Sequence, residues 1–133
     1  MFITPDIVVT SQDLQRLQAL IRSSGSDAVE RLDEELARAR VVAPREVPFD
    51  VVTMNSDVVY EDAASGAQRS VRLVYPDAVD ATRGWISILS PLGAALLGLR
   101  VGQEVDWRLP QGTRRVRVVD VPYQPEASGD YTL

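Results

Sequence analysis

The 133-residue chain contains no cysteine and no histidine, and because all 14 of its basic residues are arginine it contains no lysine either. Without cysteine there is neither a disulfide nor a thiolate nucleophile, a composition that fits a reducing compartment. Without histidine the usual general base near neutral pH is missing, and with both absent the ordinary zinc sites cannot be assembled. The lack of lysine removes the Schiff-base amine and the P-loop cation. What remains for chemistry is carboxylates, hydroxyls and permanently charged guanidinium groups. An enzyme made from them would have to be a carboxylate pair or a carboxylate-held metal, so a non-enzymatic protein without metal or cofactor is expected. The formal net charge of −5 weighs against direct binding to nucleic acid through its phosphates. No apolar run approaches the roughly 18 residues of a membrane span. Met1-Phe2-Ile3-Thr4-Pro5-Asp6 has neither the basic start nor the apolar stretch of an export signal, so a cytoplasmic protein with no membrane partner is expected.

The length suits one compact domain with a small appendage. In the N-terminal third, Thr10-Ser11-Gln12-Asp13 supplies an N-cap with an acid at N3, and Leu14, Leu17, Leu20 and Ile21 recur on one face of a helix. Ser23-Ser24-Gly25 stops it. Ser26 and Asp27 start a second helix, with Val29, Leu32, Leu36, Ala39 and Ala43 as its apolar stripe and charged residues elsewhere. Two amphipathic helices joined by so short a turn predict an antiparallel hairpin, with Ser24, Gly25, Ser26 and Asp27 at its tip. Pro44 and Pro48 then interrupt helix formation, which divides the chain into a hairpin and linker over 1–49 and a second unit over 50–133. Beyond the linker the period changes to two. Val51–Tyr60, Gln68–Tyr75, Trp85–Leu89, Gln103–Leu109 and Arg114–Val121 read as strands, an α+β sheet domain with one face covered. Val116 and Val118 share one face of the last strand while Val119 and Val121 share the other, which calls for a bulge or for cover on both sides.

The densest signal is Ser90-Pro91-Leu92-Gly93-Ala94-Ala95-Leu96-Leu97-Gly98-Leu99-Arg100-Val101-Gly102. Ser90 is placed to cap a helix, Pro91 presets φ at its first position, and Gly98 suits the left-handed residue after its end. Less than two turns remain between these marks, all apolar or glycine, so the helix must lie on a core.

This block resembles the signature of the C-terminal domain of the bacterial transcript cleavage factors GreA and GreB. Within that superfamily Asp50-Val51-Val52-Thr53-Met54-Asn55-Ser56, Leu73-Val74-Tyr75-Pro76, and Tyr123-Gln124-Pro125-Glu126 with Gly129-Asp130-Tyr131 resemble the branch of regulators of nucleoside diphosphate kinase. The resemblance implies an FKBP-like fold for the second unit, a five-stranded antiparallel sheet with one short helix, and a coiled-coil arm for the first. It also implies a transcription regulator whose partner is RNA polymerase, docked at the rim of the secondary channel through the loop Leu89-Ser90-Pro91-Leu92-Gly93. Leu89 stands where the cleavage factors carry a polar or acidic residue. Those factors hold a catalytic magnesium with acidic residues at the tip of a long arm, whereas about 14 residues of helix span only some 20 Å. Asp27 is the single carboxylate of the tip and is read as a charge favoured by the helix dipole. The resemblance thus implies occupancy of the channel in competition with Gre-type factors, without stimulated cleavage, and an effect on nucleoside diphosphate kinase that can be indirect.

Two further features have bland readings. Arg108, Arg114, Arg115 and Arg117 flank the Gln111-Gly112 turn and form either a basic patch or a solvent-facing row neutralised by Asp106 and Asp120. Phe49, Tyr60, Tyr75, Trp85 and Trp107 are read as core or core-edge residues. If Trp85, Trp107 and Tyr60 instead converge on an open cavity, the alternative is an FKBP-like peptidyl-prolyl isomerase.

Overall fold

In the computed structural model, which describes residues 6–24 and 27–131, strand β1 (Val8–Thr10) leads directly into helix α1 (Ser11–Ser23). Thr10 caps α1 by accepting from the Asp13 N–H at 3.1 Å. Helix α2 (Asp27–Arg38) packs on α1 and ends earlier than its apolar stripe indicated, because Arg40–Val42 leave the helix to form β2, parallel to β1. Ala43 therefore belongs to the linker. The Arg40 N–H donates to the Ile7 carbonyl at 2.9 Å, so the pairing of β1 with β2 closes the base of the helical pair.

The linker makes a 3₁₀ turn at Pro44–Glu46, and the expected first strand from Val51 starts only at Asp57. Asn55 adopts φ 65° and the Ser56 N–H returns to the Thr53 carbonyl, a tight turn that no strand can pass through. From there five strands form one sheet: β3 (Asp57–Asp62), β4 (Gln68–Val74), β5 (Trp85–Ser87), β6 (Glu104–Leu109) and β7 (Gly112–Tyr123), in the order β5-β4-β3-β7-β6. The sheet is mixed, which corrects the antiparallel expectation. β5 runs parallel to β4, because 3₁₀ turns at Pro76–Ala78 and Ala81–Arg83 carry the chain back before it joins the edge. In β7 the register against β3 shifts, with Val59 opposite Asp120 and Tyr60 opposite Val118, so Val119 is the bulged residue that resets the phase.

Helix α3 (Pro91–Leu96) follows β5 and lies on the face that carries Val58, Tyr60, Val116 and Val118. Residues 92–99 are all buried. The core they enter also receives Ile7 and Val9 from the first segment, Leu17 from α1, and Leu32 and Leu36 from α2. Each of these leucines gains about 2 kcal/mol on leaving water, so the near half of the helical pair is seated on the sheet unit. Leu20 and Ile21, farther out, are half-buried, and Val29 is buried outside that cluster.

The opposite face of the sheet is a lattice of cross-strand charges. Arg72 forms a two-pronged pair with Asp57, at 2.7 and 3.1 Å, and its guanidinium stands over the rings of Trp85 and Tyr123. No described helix is long and apolar enough to cross a membrane.

Candidate functional site

The chain leaves β5 and turns over Ser87, whose hydroxyl accepts from the Leu89 N–H at 3.0 Å and whose carbonyl accepts from the Ser90 N–H at 3.0 Å. Ser90 then makes two bonds with one oxygen. It donates to the Ser87 carbonyl at 2.6 Å and accepts from the Gly93 N–H at 3.1 Å, the N-cap bond of α3. Pro91, at the first helical position, needs no amide partner and is exposed, while Leu89 and Ser90 are half-buried. Leu92 and Gly93 are buried beneath them. A Cβ on Gly93 would stand 2.2 Å from the Ser87 carbonyl oxygen, so only glycine lets the helix approach β5 this closely. Leu89 to Gly93 are thereby one rigid corner with Pro91 at its apex.

The other end of α3 is joined to the helical pair. Gly98 adopts φ 80° after the Leu97 cap, accepts from the Val8 N–H at 3.1 Å and donates to the Val52 carbonyl at 2.9 Å. A Cβ there would meet the Ile7 Cβ at 2.7 Å. The same thirteen-residue block that builds the corner therefore also seats β1.

A polar cluster that local sequence signals do not disclose completes this junction. Asp13, expected only as an acid in the first turn, turns its carboxylate to accept from the Met54 N–H at 3.1 Å. Burial, reinforced by the nearby Glu126 carboxylate and opposed by the Met54 bond, raises its pKa to about 6. Thr53 shares its hydroxyl with Ser56 at 2.9 Å and donates to Glu126 at 2.7 Å. Gln124 donates to the carbonyls of Pro48 and Val51, both at 2.8 Å, the Tyr131 carbonyl accepts from the Gln12 amide at 3.1 Å, and Arg45 stands over the Tyr131 ring. The C-terminal arm is a clasp over linker, sheet unit and α1. Its signal in the sequence was Gln, Glu and Tyr in a segment without periodicity, but their partners are too distant in the chain to be read.

At the far end of the helical pair, Ser24 caps α1 in an extended conformation. Gly25, Ser26 and the side chain of Asp27 lie outside the described residues. The arginines around the β6–β7 turn are not brought together. Arg114 pairs with Asp62 at 3.2 Å on the α3 side, whereas Arg115 pairs with Asp106 at 3.2 Å and Arg117 with Glu61 on the opposite side. The Arg108 side chain lies outside the described residues. The aromatic residues also divide. Tyr60 is buried, Tyr75, Trp85 and Trp107 are half-buried, and Phe49 is 76% exposed, which corrects its placement in the core. Backbone bonds from Val51 to Pro48 and from Val101 to Asp50 fix the turn that leaves this ring outside. Trp85 lies between Arg72 and Arg83 on the charged face, away from Tyr60 and Trp107, so the three rings do not form one proline-accepting pocket.

The family described as "Transcription elongation factor, GreA/GreB, C-term" matches residues 44–123, and "Rnk N-terminus" matches residues 5–42. The chain is 41% identical over 133 residues to the regulator of nucleoside diphosphate kinase of Escherichia coli K12, covering 97% of this chain and 98% of the relative. It is 44% identical over 95 residues to transcription elongation factor GreB of Xanthomonas axonopodis pv. citri, covering 71% of this chain but 56% of GreB. Among solved structures, the elongation factor GreA/GreB of Nitrosomonas europaea superimposes with a TM-score of 0.76 at 45% identity, covering 90% of this chain and all of that one. Gfh1 of Thermus thermophilus superimposes with a TM-score of 0.50 at 26% identity, over 90% of this chain.

Proposed function

The chain belongs to the GreA/GreB family of transcription elongation factors, in the branch of regulators of nucleoside diphosphate kinase, and from that premise we propose that it regulates transcription by binding RNA polymerase. The observation that carries the reading is the rigid corner of Leu89, Ser90, Pro91, Leu92 and Gly93, which offers an exposed proline on a backbone that loses little freedom when a partner covers it. This corner docks at the rim of the secondary channel. The unit over 50–133 is FKBP-like, and the unit over 1–49 is a short antiparallel hairpin clasped beside the docking surface.

Helix α1 has 13 residues and is therefore about 20 Å long. An arm of that length, with Ser24, Gly25, Ser26 and Asp27 at its tip, occupies the channel entrance without delivering a pair of carboxylates to a deep catalytic magnesium. The protein therefore competes with Gre-type factors by occupancy, catalyses nothing itself, works in the cytoplasm, and alters nucleoside diphosphate kinase through transcription.

The test is direct binding to purified RNA polymerase together with transcript cleavage in stalled complexes. The wild-type chain is expected to bind, to suppress GreB-stimulated cleavage and to stimulate none alone. Ser90→Arg and Pro91→Ala are expected to weaken binding about tenfold, the scale of one lost central contact. Absence of binding, or unimpaired binding by both variants, would defeat the docking assignment, and cleavage stimulated by the chain alone would defeat the occupancy mechanism.

A further inference from the structure

A cleft on the α3 side of the sheet, beside the β3–β4 turn, takes no part in the corner. Strand alternation directs Tyr60 and Asp62 of β3, Arg69 of β4, Arg114 of β7 and Trp107 of β6 into its lining. Tyr60 lies opposite Arg69 across one strand pair, and Trp107 opposite Arg114 across another. The Tyr60 and Trp107 rings supply an apolar floor with a polar group on each.

The charges of the cleft do not cancel. Asp62 accepts from the N–H groups of Ala64 at 2.9 Å and Ser65 at 3.3 Å and pairs with Arg114, so its charge is already satisfied. Arg69 is exposed and makes no ion pair among the described residues. The Trp107 indole N–H is buried with no acceptor among them. Two guanidinium groups against one carboxylate leave one positive charge, on a chain whose net charge is −5. An unpaired guanidinium fork beside a half-buried indole ring is the complement of a single carboxylate next to an apolar group.

We propose that this cleft binds an acidic segment of a protein partner: Arg69 holds an aspartate or glutamate side chain, and the half-buried Trp107 ring covers a neighbouring apolar residue. A polyphosphate backbone fits less well, because Asp62 stands in the cleft and the surplus charge matches one monoanion. None of the residues of the Leu89–Gly93 corner lines this cleft.

Nuclear magnetic resonance of the full, ¹⁵N-labelled chain reads this contact directly, since its two tryptophans give two indole N–H signals that Trp85→Phe distinguishes. The probe is a blocked hexapeptide of alternating glutamate and leucine, with an alternating lysine and leucine peptide and inorganic phosphate as the other arms. The acidic peptide is expected to shift the Trp107 indole signal and the amides of Tyr60 and Arg69 saturably, and less so as salt is raised. Arg69→Ala, at an exposed position that the fold does not need, is expected to weaken that binding about fivefold or more. The proposal is overturned if the acidic peptide gives no saturable shift at millimolar concentration or Arg69→Ala binds equally well. It is also overturned if the lysine peptide shifts the same signals, or if phosphate reproduces the shifts at the same concentration.

Discussion

The block from β5 through α3 to Gly102 and the helical pair of α1 and α2 solve opposite problems. Helix α3 has six residues, far too few to be stable alone, yet caps at both ends and burial of residues 92–99 hold it fast. Helices α1 and α2 have 13 and 12 residues and bury only one stripe, so they depend on contacts made far away: β1 on Gly98, Asp13 on Met54, Gln12 on Tyr131. The lesson is that rigidity in the first region comes from close backbone approach, and in the second from a clasp.

The contrast breaks most severely at Gly93. Gly93→Ala drives a methyl group into the Ser87 backbone and is expected to cost about 3 kcal/mol or more, seen as a large fall in the thermal midpoint by circular dichroism. A midpoint within a degree of wild type would show that the corner is not tightly built. Gly98→Ala tests the joint between the regions. A left-handed alanine pressed on Ile7 is expected to cost about 2 kcal/mol, with faster amide exchange at Val8 before the sheet responds. Equal acceleration in β3 and β7 would mean that the two regions open as one.

Asp13 sharpens the comparison through pH. Its folded pKa lies near 6, above its ordinary value, so the folded state holds its proton longer than the unfolded chain does. The stability it supports is therefore present below pH 4 and is lost as pH rises to about 6. Asp13→Asn keeps an acceptor for the Met54 N–H without the buried charge, and is expected to gain about 1 kcal/mol relative to wild type at pH 7.5, with the gain vanishing near pH 4. Urea denaturation at the two pH values checks this; a difference independent of pH would place the charge elsewhere. The smallest effect belongs to the open charged face. Arg117→Ala removes an exposed pair with Glu61 and is expected to change stability by no more than about 0.5 kcal/mol in the same assay.

Much of the corner was legible without coordinates. Ser90 as cap, Pro91 at the first helical position and Gly98 in the left-handed region are dictated by neighbours a few residues away, and the structure bears out each one. Thr10 as the cap of α1 and Ser24 as its end were legible for the same reason. The second helix ends at Arg38, short of its expected stripe, because Ala39 and Ala43 continue an apolar spacing that a strand also satisfies over so few residues. Of the two readings of the arginines around the β6–β7 turn, a single patch fails because strand alternation sends Arg114 to one face and Arg115 and Arg117 to the other, where each has a carboxylate partner. In the cleft, Tyr60 and Trp107 stand out in the sequence as aromatic residues, but Arg69 does not, since only the β3–β4 register brings it beside Tyr60.

What the sequence determined by itself is the punctuation: where α3 and α1 start and stop, where helical period gives way to strand period, and which chemistries lack their residues. These follow from steric and hydrogen-bonding preferences of a residue and its nearest neighbours, which every chain carrying those residues shares. Tertiary structure alone decided that β2 pairs with β1, that β5 runs parallel to β4, that Phe49 faces water, and that Asp13 reaches Met54 and Gln12 reaches Tyr131. The last two join groups 41 and 119 residues apart, and their energies exist only after the whole core has brought the two ends within bonding distance.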